Sequence, residues 1–348
     1  MKKETVETIG LVGGNLLASM LAIEAKKRGI KTFLLEPELN NIASEICDSH
    51  IIADITKENI QRLALKVDRI IFCTNNIPVL GKDTLKTCKA YPQEEGIDLV
   101  TNRVHQLTLA ELAEVPTPKY YHQNNKLKFF EKMTDVSLPF KLYQLYDDRY
   151  EVMDVYTKED LEDFIYEIDD AATEWLIEEI NEYERFLSLT VLKAGEKVYV
   201  YPVQEEVLND KDVKYIFMPA NITKNLQGKL TRFAKKLLKE VQTEGLFTFK
   251  FGVKKNRQVE LININPGITV GDVGTNHYTD FSVYEQFLNL IEGLPLKDGE
   301  LLKPSVTTII KEGDTSHRPA FPYHHYALDR HNSLPVAIYV KENMEEIN

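Results

Sequence analysis

The stretch Leu261–Gly267 reads LININPG, an alternating apolar strand that runs into a tight Asn-Pro-Gly turn. Side chains on a strand alternate with period two, so Asn263 and Asn265 share one face. The end of such a strand is a place for a carboxylate that holds magnesium, a cation that prefers hard oxygen ligands. Here the position carries amides. Near the other terminus, Gly13-Gly14 follows a short apolar strand and precedes a helix. Free backbone N–H groups and the helix dipole suit such a turn to an anion. The dinucleotide fingerprint needs three spaced glycines and this turn has two adjacent ones, so an anion site and a plain strand–helix turn both stay open. His317, His324, His325 and His331 cluster near the C-terminus. Their spacing fits no zinc pattern and no cysteine is near, so they read as a surface loop. The acidic run Glu159–Asp170 reads as a solvated helix face. No nucleophile–base pair can be argued from spacing, no catalytic residue is assigned, and no metal site is expected.

Two kinds of element must position these groups. In the first hundred residues, strands at Thr8–Val12, Lys31–Leu35, His50–Ala53 and Arg69–Cys73 alternate with helices at Leu16–Arg28 and Lys57–Val67. This β-α-β order predicts a doubly wound parallel sheet. A small α+β module follows, with strands at Leu138–Tyr143, Glu151–Tyr156 and Glu174–Ile180 and a helix at Lys158–Glu167. Longer antiparallel strands are expected at Phe186–Leu192, Lys197–Val203, Val213–Met218, Leu246–Val253 and Gln258–Ile264, with helices at Leu226–Val241 and Phe281–Ile291. The predicted units are 1–104, 105–182, 183–302 and a short C-terminal β subdomain at 303–348.

The chain has 348 residues, 43% of them apolar, enough for a large core. A net charge of −12 argues against a nucleic-acid partner. Cys47, Cys73 and Cys88 form neither a disulfide framework nor a zinc pattern. No secretory h-region is present and no apolar run reaches the ~18 residues of a membrane span. A cytoplasmic protein without a membrane partner is expected.

In this order of elements the chain resembles the 5-(carboxyamino)imidazole ribonucleotide synthetases, ATP-grasp enzymes of purine biosynthesis. Tyr201–Ile222 (YPVQEEVLNDKDVKYIFMPANI) is similar to the family's YPV-x-EN-x-H-x-DGI … PAR pattern. Thr8–Met20 resembles the glycine loop, Phe72–Pro78 (FCTNNIP) the YEFENVP segment, Asn102-Arg103 with Val115-Pro116-Thr117 the DR … IPT entry, and Tyr284–Leu296 the closing helix. The resemblance implies an ATP-grasp fold, a homodimer, and substrate-loop candidates at Gly13, Gly14, Asn15, Glu36 and Asn76. It places nucleotide-cleft candidates at Arg103, Lys141, Glu178, Glu179, Asn181, Lys250, Asn263 and Asn265.

Departures from the family pattern all run one way. The phosphate lysine falls at Tyr143, and the glycine lid falls on Tyr146–Val152, which has no glycine. The ribose-binding acid falls at Phe186, the histidine of the YPV segment at Leu208, and the two magnesium carboxylates at Lys250 and Asn263. An ammonium and an amide do not replace two carboxylates, and phosphoryl transfer depends on cations that neutralise developing charge. The expectation is a synthetase-like pseudoenzyme with no cofactor, which binds a small phosphate or nucleotide ligand or a partner at the old cleft. The alternatives are an active ligase using ATP with magnesium at a relocated site, and a dimeric structural or regulatory protein. Lys250 is expected beside Asn263 on neighbouring strands and paired with an acid such as Glu205. Tyr143, Tyr146 and Tyr150 are expected to fill part of the nucleotide space.

Overall fold

The computed structural model describes residues 5–310 except 75–76, 79, 81–84, 86–87, 134–135, 147–149, 168–170, 210–211 and 266, together with 324–327 and 337–342. The N-terminal part runs β1 (Thr8–Val12), α1 (Leu16–Lys27), β2 (Lys31–Leu35), β3 (Ser49–Ile51), α2 (Lys57–Ala64), β4 (Arg69–Phe72) and β5 (Lys89–Tyr91). These strands form the parallel sheet that the alternation predicts, in the order β3-β2-β1-β4-β5. β1 is apolar and buried along most of its length, as the central strand of a parallel sheet must be. Asn15 caps α1 by accepting from the Ala18 N–H, and Thr56 caps α2 in the same way. β5 was not foreseen, being three residues long and stopped by Pro92.

The next part holds α3 (Glu94–Thr101), α4 (Arg103–Leu112), β6 (Tyr120–Gln123), α5 (Lys126–Met133), β7 (Phe140–Leu145), β8 (Tyr150–Val155), α6 (Lys158–Glu167) and β9 (Glu174–Glu179). Its strands make an antiparallel sheet in the order β6-β9-β7-β8. β7 starts two residues later than expected, because Pro139 has no N–H to give to a ladder.

The central part contributes β10 (Arg185–Ala194), β11 (Lys197–Val200), β12 (Gln204–Asn209), β13 (Asp212–Met218), α7 (Lys224–Lys239), β14 (Gly245–Val253) and β15 (Val259–Asn265). A 3-10 turn at Val270–Gly274 leads to α8 (Thr275–Tyr278) and α9 (Val283–Ile291). The strand expected to run through Val203 stops at Val200, and Pro202 separates it from β12. β16 (Ser305–Ile310), β17 (His324–Ala327) and β18 (Ala337–Glu342) extend the same sheet, whose path is β15-β14-β10-β12-β13-β16-β18-β17 with β11 beside β10.

The central sheet has two unlike faces. Leu187, Leu189 and Val191 of β10 and Phe247, Phe249 and Phe251 of β14 form one core with Leu230, Ala234 and Leu237 of α7. The intervening residues face the other way and are polar, including Ser188, Thr190, Thr248 and Lys250. The N-terminal sheet is joined to this body through α1 and α9. Arg28 Nη1 bonds Glu292 at 2.7 Å and Asn289 at 2.9 Å, and Nη2 bonds the Glu285 carbonyl at 3.0 Å.

Candidate functional site

Four strands set one row across the polar face of the central sheet. Register pairs Gln204 with Ser188, Ser188 with Lys250, and Lys250 with Asn263. Lys250 and Asn263 therefore stand side by side on β14 and β15. Lys250 Nζ bonds Glu206 Oε2 at 3.1 Å, and the Glu206 side chain is only 6% exposed. The expected partner, Glu205, is held instead by Arg185 at 2.6 and 2.5 Å. Alternation explains the correction: Glu205 lies on the strand face of Arg185 and Leu187, and Glu206 lies on the face of Lys250. The half-buried Asn263 amide has no hydrogen-bond partner among the described residues, and Asn265 lies in register with Thr248.

Magnesium does not fit this donor set. The row offers two amides, Gln204 and Asn263, the Ser188 hydroxyl and an ammonium, and the Glu206 carboxylate beside it is already bonded by that ammonium, where magnesium calls for carboxylates. Among the described residues no group of three or more histidines, cysteines and acids could hold a metal ion. The other carboxylate nearby is Asp272, in the 3-10 turn. It is fully buried and accepts from Thr190 Oγ1 at 3.0 Å, Gln204 Nε2 at 2.8 Å and the Thr269 N–H at 2.7 Å. Burial pushes its pKa up to about 6, against those hydrogen bonds. Sequence reasoning missed Asp272, although Thr-x-x-Asp at 269–272 is a capping-box signature that the structure realises.

A second cluster lies where α4 meets β7 and β9. Arg103 and Glu178 are both buried, with Arg103 Nε 2.9 Å from Glu178 Oε2 and Nη2 bonded to Oε1. Arg103 Nη1 also donates to Gln106 Oε1 at 2.8 Å. Tyr143 is the residue that the resemblance sets at the phosphate-lysine position. Its hydroxyl donates to Glu178 Oε2 at 3.2 Å, and its side chain is buried. Burial opposes the Arg103 charge, but the hydrogen bonds and charge of Glu178 outweigh it and raise the guanidinium pKa. Lys141 is in register with Glu178, yet its ammonium pairs with Asp154 on β8 at 3.8 Å and is half exposed. Glu179 points to Lys119 at 3.7 Å.

Residues beyond β9 close the same side. Asn181 Nδ2 and the Tyr183 hydroxyl both donate to Glu260 Oε2, at 3.0 and 2.9 Å, and Lys254 Nζ reaches Glu260 Oε1 at 2.7 Å. The Tyr183 ring packs so closely on Gly252 that a Cβ there would collide with it. Tyr183 also meets Phe186 edge-on, with centroids 5.7 Å apart. Phe186 is the residue that the resemblance sets at the ribose-acid position, and here it packs on Tyr183. In the β7–β8 hairpin Tyr143 pairs with Val152, and Tyr146 is half-buried and donates to Glu151 at 3.2 Å. The Tyr150 side chain lies outside the described residues.

The glycine turn forms a third locus. Gly13 adopts φ +97° and donates to the Leu35 carbonyl at 3.0 Å. The Gly14 N–H donates to Glu36 Oε2 at 2.6 Å, so a carboxylate of the chain itself sits at the turn. A Cβ on Gly14 would lie 2.6 Å from Asn41, which fixes glycine there. Asn15 also bonds the Cys73 carbonyl through Nδ2. Asn76, His317 and His331 lie outside the described residues, as do the side chains of His324 and His325.

Comparison with known proteins agrees with this fold. Residues 6–100 match the ribonucleotide synthetase preATP-grasp domain, and residues 108–266 match the ATP-grasp domain. The formate-dependent phosphoribosylglycinamide formyltransferase of Prochlorococcus marinus is 22% identical over 343 residues, covering 93% of this chain and 86% of that protein. The N5-carboxyaminoimidazole ribonucleotide synthase of Bacillus subtilis is 23% identical over 308 residues, covering 86% and 79%. The crystal structure of N5-carboxyaminoimidazole synthetase from Staphylococcus aureus, complexed with ADP, superposes with a TM-score of 0.83 at 20% identity, over 99% of this chain and 95% of that one.

Proposed function

From a chain that belongs to the ATP-grasp family, with the carboxyaminoimidazole ribonucleotide synthetases as its likeness, we propose a ligase-like protein that has lost the magnesium-ATP reaction. One observation carries the reading. Positions where the resemblance expects phosphate, ribose and metal contacts hold side chains bonded to one another. Tyr143 and Arg103 converge on the buried Glu178, Lys250 is tied to Glu206, and Phe186 packs on Tyr183. ATP at such a site would have to break a buried bidentate ion pair and replace it with contacts to phosphate.

What remains for a ligand is limited. Lysine is a compact point charge that can meet a phosphate without a metal. Lys250, with a third of its side chain exposed, is the cation of the row that such an anion could reach. The reading therefore keeps one ligand mode, metal-independent contact of a phosphate or nucleotide with Lys250. A homodimer in the cytoplasm belongs to the same reading and rests on the resemblance. Sedimentation equilibrium tests the dimer.

An active ligase is the second reading, and the relatives favour it: the curated proteins that match are a formyltransferase and ribonucleotide synthases, matched over most of their length. Calorimetry with ATP separates the two. Our reading expects no magnesium-dependent binding, and any weak binding to survive chelator and disappear in Lys250→Ala. Tight binding that requires magnesium overturns it. The variant Lys250→Glu/Asn263→Glu restores both carboxylates and is expected to hydrolyse no ATP, because Tyr143 still fills the phosphate-lysine position. Turnover in that variant refutes the proposed extent of loss.

A further inference from the structure

A cavity of about 500 Å³ lies on the opposite side of the central sheet from Lys250. Lys193, on β10, brings it to that side, because Lys193 shares the strand face of Leu189 and Val191 under α7. Lys197 comes from the β10–β11 hairpin, and Lys235 and Lys239 from the last two turns of α7. Four ammonium groups thus meet two carboxylates, Glu196 and Asp298, in a protein whose net charge is −12. Asp298 Oδ1 is already engaged by the Val200 N–H at 2.8 Å. Lys197, Lys235 and Lys239 have no carboxylate within salt-bridge distance among the described residues, whereas Lys236 of the same helix pairs with Glu114 at 3.0 Å.

Two physical points make this arrangement informative. Lys235 and Lys239 are four residues apart on one helix face, where like charges repel. The helix dipole accounts for lysines in the last turn of α7, but not for Lys193 and Lys197, which a separate hairpin supplies. Lys193 is also 6% exposed, with its ammonium held by the Val241 carbonyl, so this charge is fixed in place at the cavity wall. Leu238 and Tyr199 add apolar surface beside the charges. A mostly apolar or mixed wall with a few placed charges, at this volume, suits a small organic ligand.

We propose that this cavity binds a small phosphorylated ligand, its phosphate held by Lys235, Lys239 and Lys197 and its organic part against Tyr199 and Leu238. Lysines bind phosphate as point charges, by charge-assisted hydrogen bonds. The site is independent of the cleft, so its success or failure leaves the loss of the ATP reaction untouched.

The test is isothermal calorimetry on the full chain at low ionic strength, with AMP, pyrophosphate and citrate as probes. AMP and pyrophosphate are expected to bind saturably, with citrate weaker, and added salt is expected to weaken binding through screening. Lys235→Ala/Lys239→Ala should weaken AMP at least roughly tenfold, as loss of two charge-assisted contacts predicts. Both residues are exposed, so the fold is expected to survive, as circular dichroism will show. The charge-matched control Lys229→Ala/Lys236→Ala, on the same helix and outside the cavity, should leave binding within about twofold. No saturable binding, equal losses in both variants, or citrate binding as well as pyrophosphate overturns the proposal.

Discussion

Removing one member of the Arg103–Glu178 pair should cost far more than removing both. Arg103 is 7% and Glu178 4% exposed, and the two share a bidentate contact that Tyr143 and Gln106 extend. Arg103→Met leaves a buried carboxylate with the Tyr143 hydroxyl but no counter-charge, and Glu178→Leu leaves a buried guanidinium with Gln106 and Tyr143 but no counter-charge. An uncompensated buried charge of this kind costs about 3–5 kcal/mol, whereas replacing a whole buried pair by apolar side chains is often near neutral. Each single variant is therefore expected to lose about 3–5 kcal/mol, and the double variant Arg103→Met/Glu178→Leu to recover to within about 2 kcal/mol of wild type. In a chain of this size the single losses correspond to a melting-temperature drop on the order of 4–7 °C. Urea denaturation followed by tryptophan fluorescence reads the effect locally, because Trp175 lies on β9, three residues before Glu178. Single variants within 1 kcal/mol of wild type on the order-of-magnitude scale of exposed pairs, or additive losses in the double, would refute the reasoning that the pair is a closed, buried unit.

Lys250→Ala should destabilise the fold by about 1–3 kcal/mol, because Glu206 is left buried and unpaired while the lysine itself is a third exposed; Lys250→Met/Glu206→Gln should recover most of that in the same urea titration. Asp272 has a folded pKa of about 6 against an ordinary 3.8, so the stability its neutral form contributes is present below pH 4 and is lost as pH rises through 6. The stability deficit of Asp272→Asn relative to wild type should accordingly shrink by about 2 kcal/mol between pH 4.5 and pH 7, and a constant difference would place the Asp272 pKa elsewhere. Gly13→Ala should cost about 1–3 kcal/mol, since φ is +97° and the new Cβ would lie 2.9 Å from Thr74 Cβ; a loss under half of that by thermal melting would show that the turn can relax.

Much of the fold was legible because it is written locally. β1, β2 and β4 are short apolar runs between helices with clear caps, and the parallel sheet follows from their order. The resemblance placed Lys250 and Asn263 together, and the register of β14 against β15 sets them side by side. Period-two alternation is the rule that would have chosen Glu206 over Glu205, had the register of β12 against β10 been known. Register is a long-range property: Pro202 breaks the strand, and nothing in the local pattern says where pairing resumes. The Arg103–Glu178 bond joins residues 75 apart in sequence, and the Asp272–Gln204 bond residues 68 apart. Neither can be read from spacing. The resemblance marked Arg103 and Glu178 as ligand contacts, and it took coordinates to find them bonded to each other.

Gln106 sits where amide hydrogen exchange would report on the joint between the two sheets. Its amide bonds both the N–H and the carbonyl of Ile264, at 3.2 and 3.0 Å, as well as the Leu99 carbonyl at 2.6 Å, while Arg103 one turn earlier grips β9. One helix thus ties the small sheet to β15, an edge strand of the large one, through buried side chains. This joint is expected to open in one concerted step and not one bond at a time. Its amides at Leu176, Ile177 and Ile264 belong to one cooperative unit, whose exchange would follow concerted opening and not local breathing. A hinge that opens readily depends on inexpensive motions on fast timescales, and the buried bonds of Arg103 and Gln106 oppose such motions at this joint.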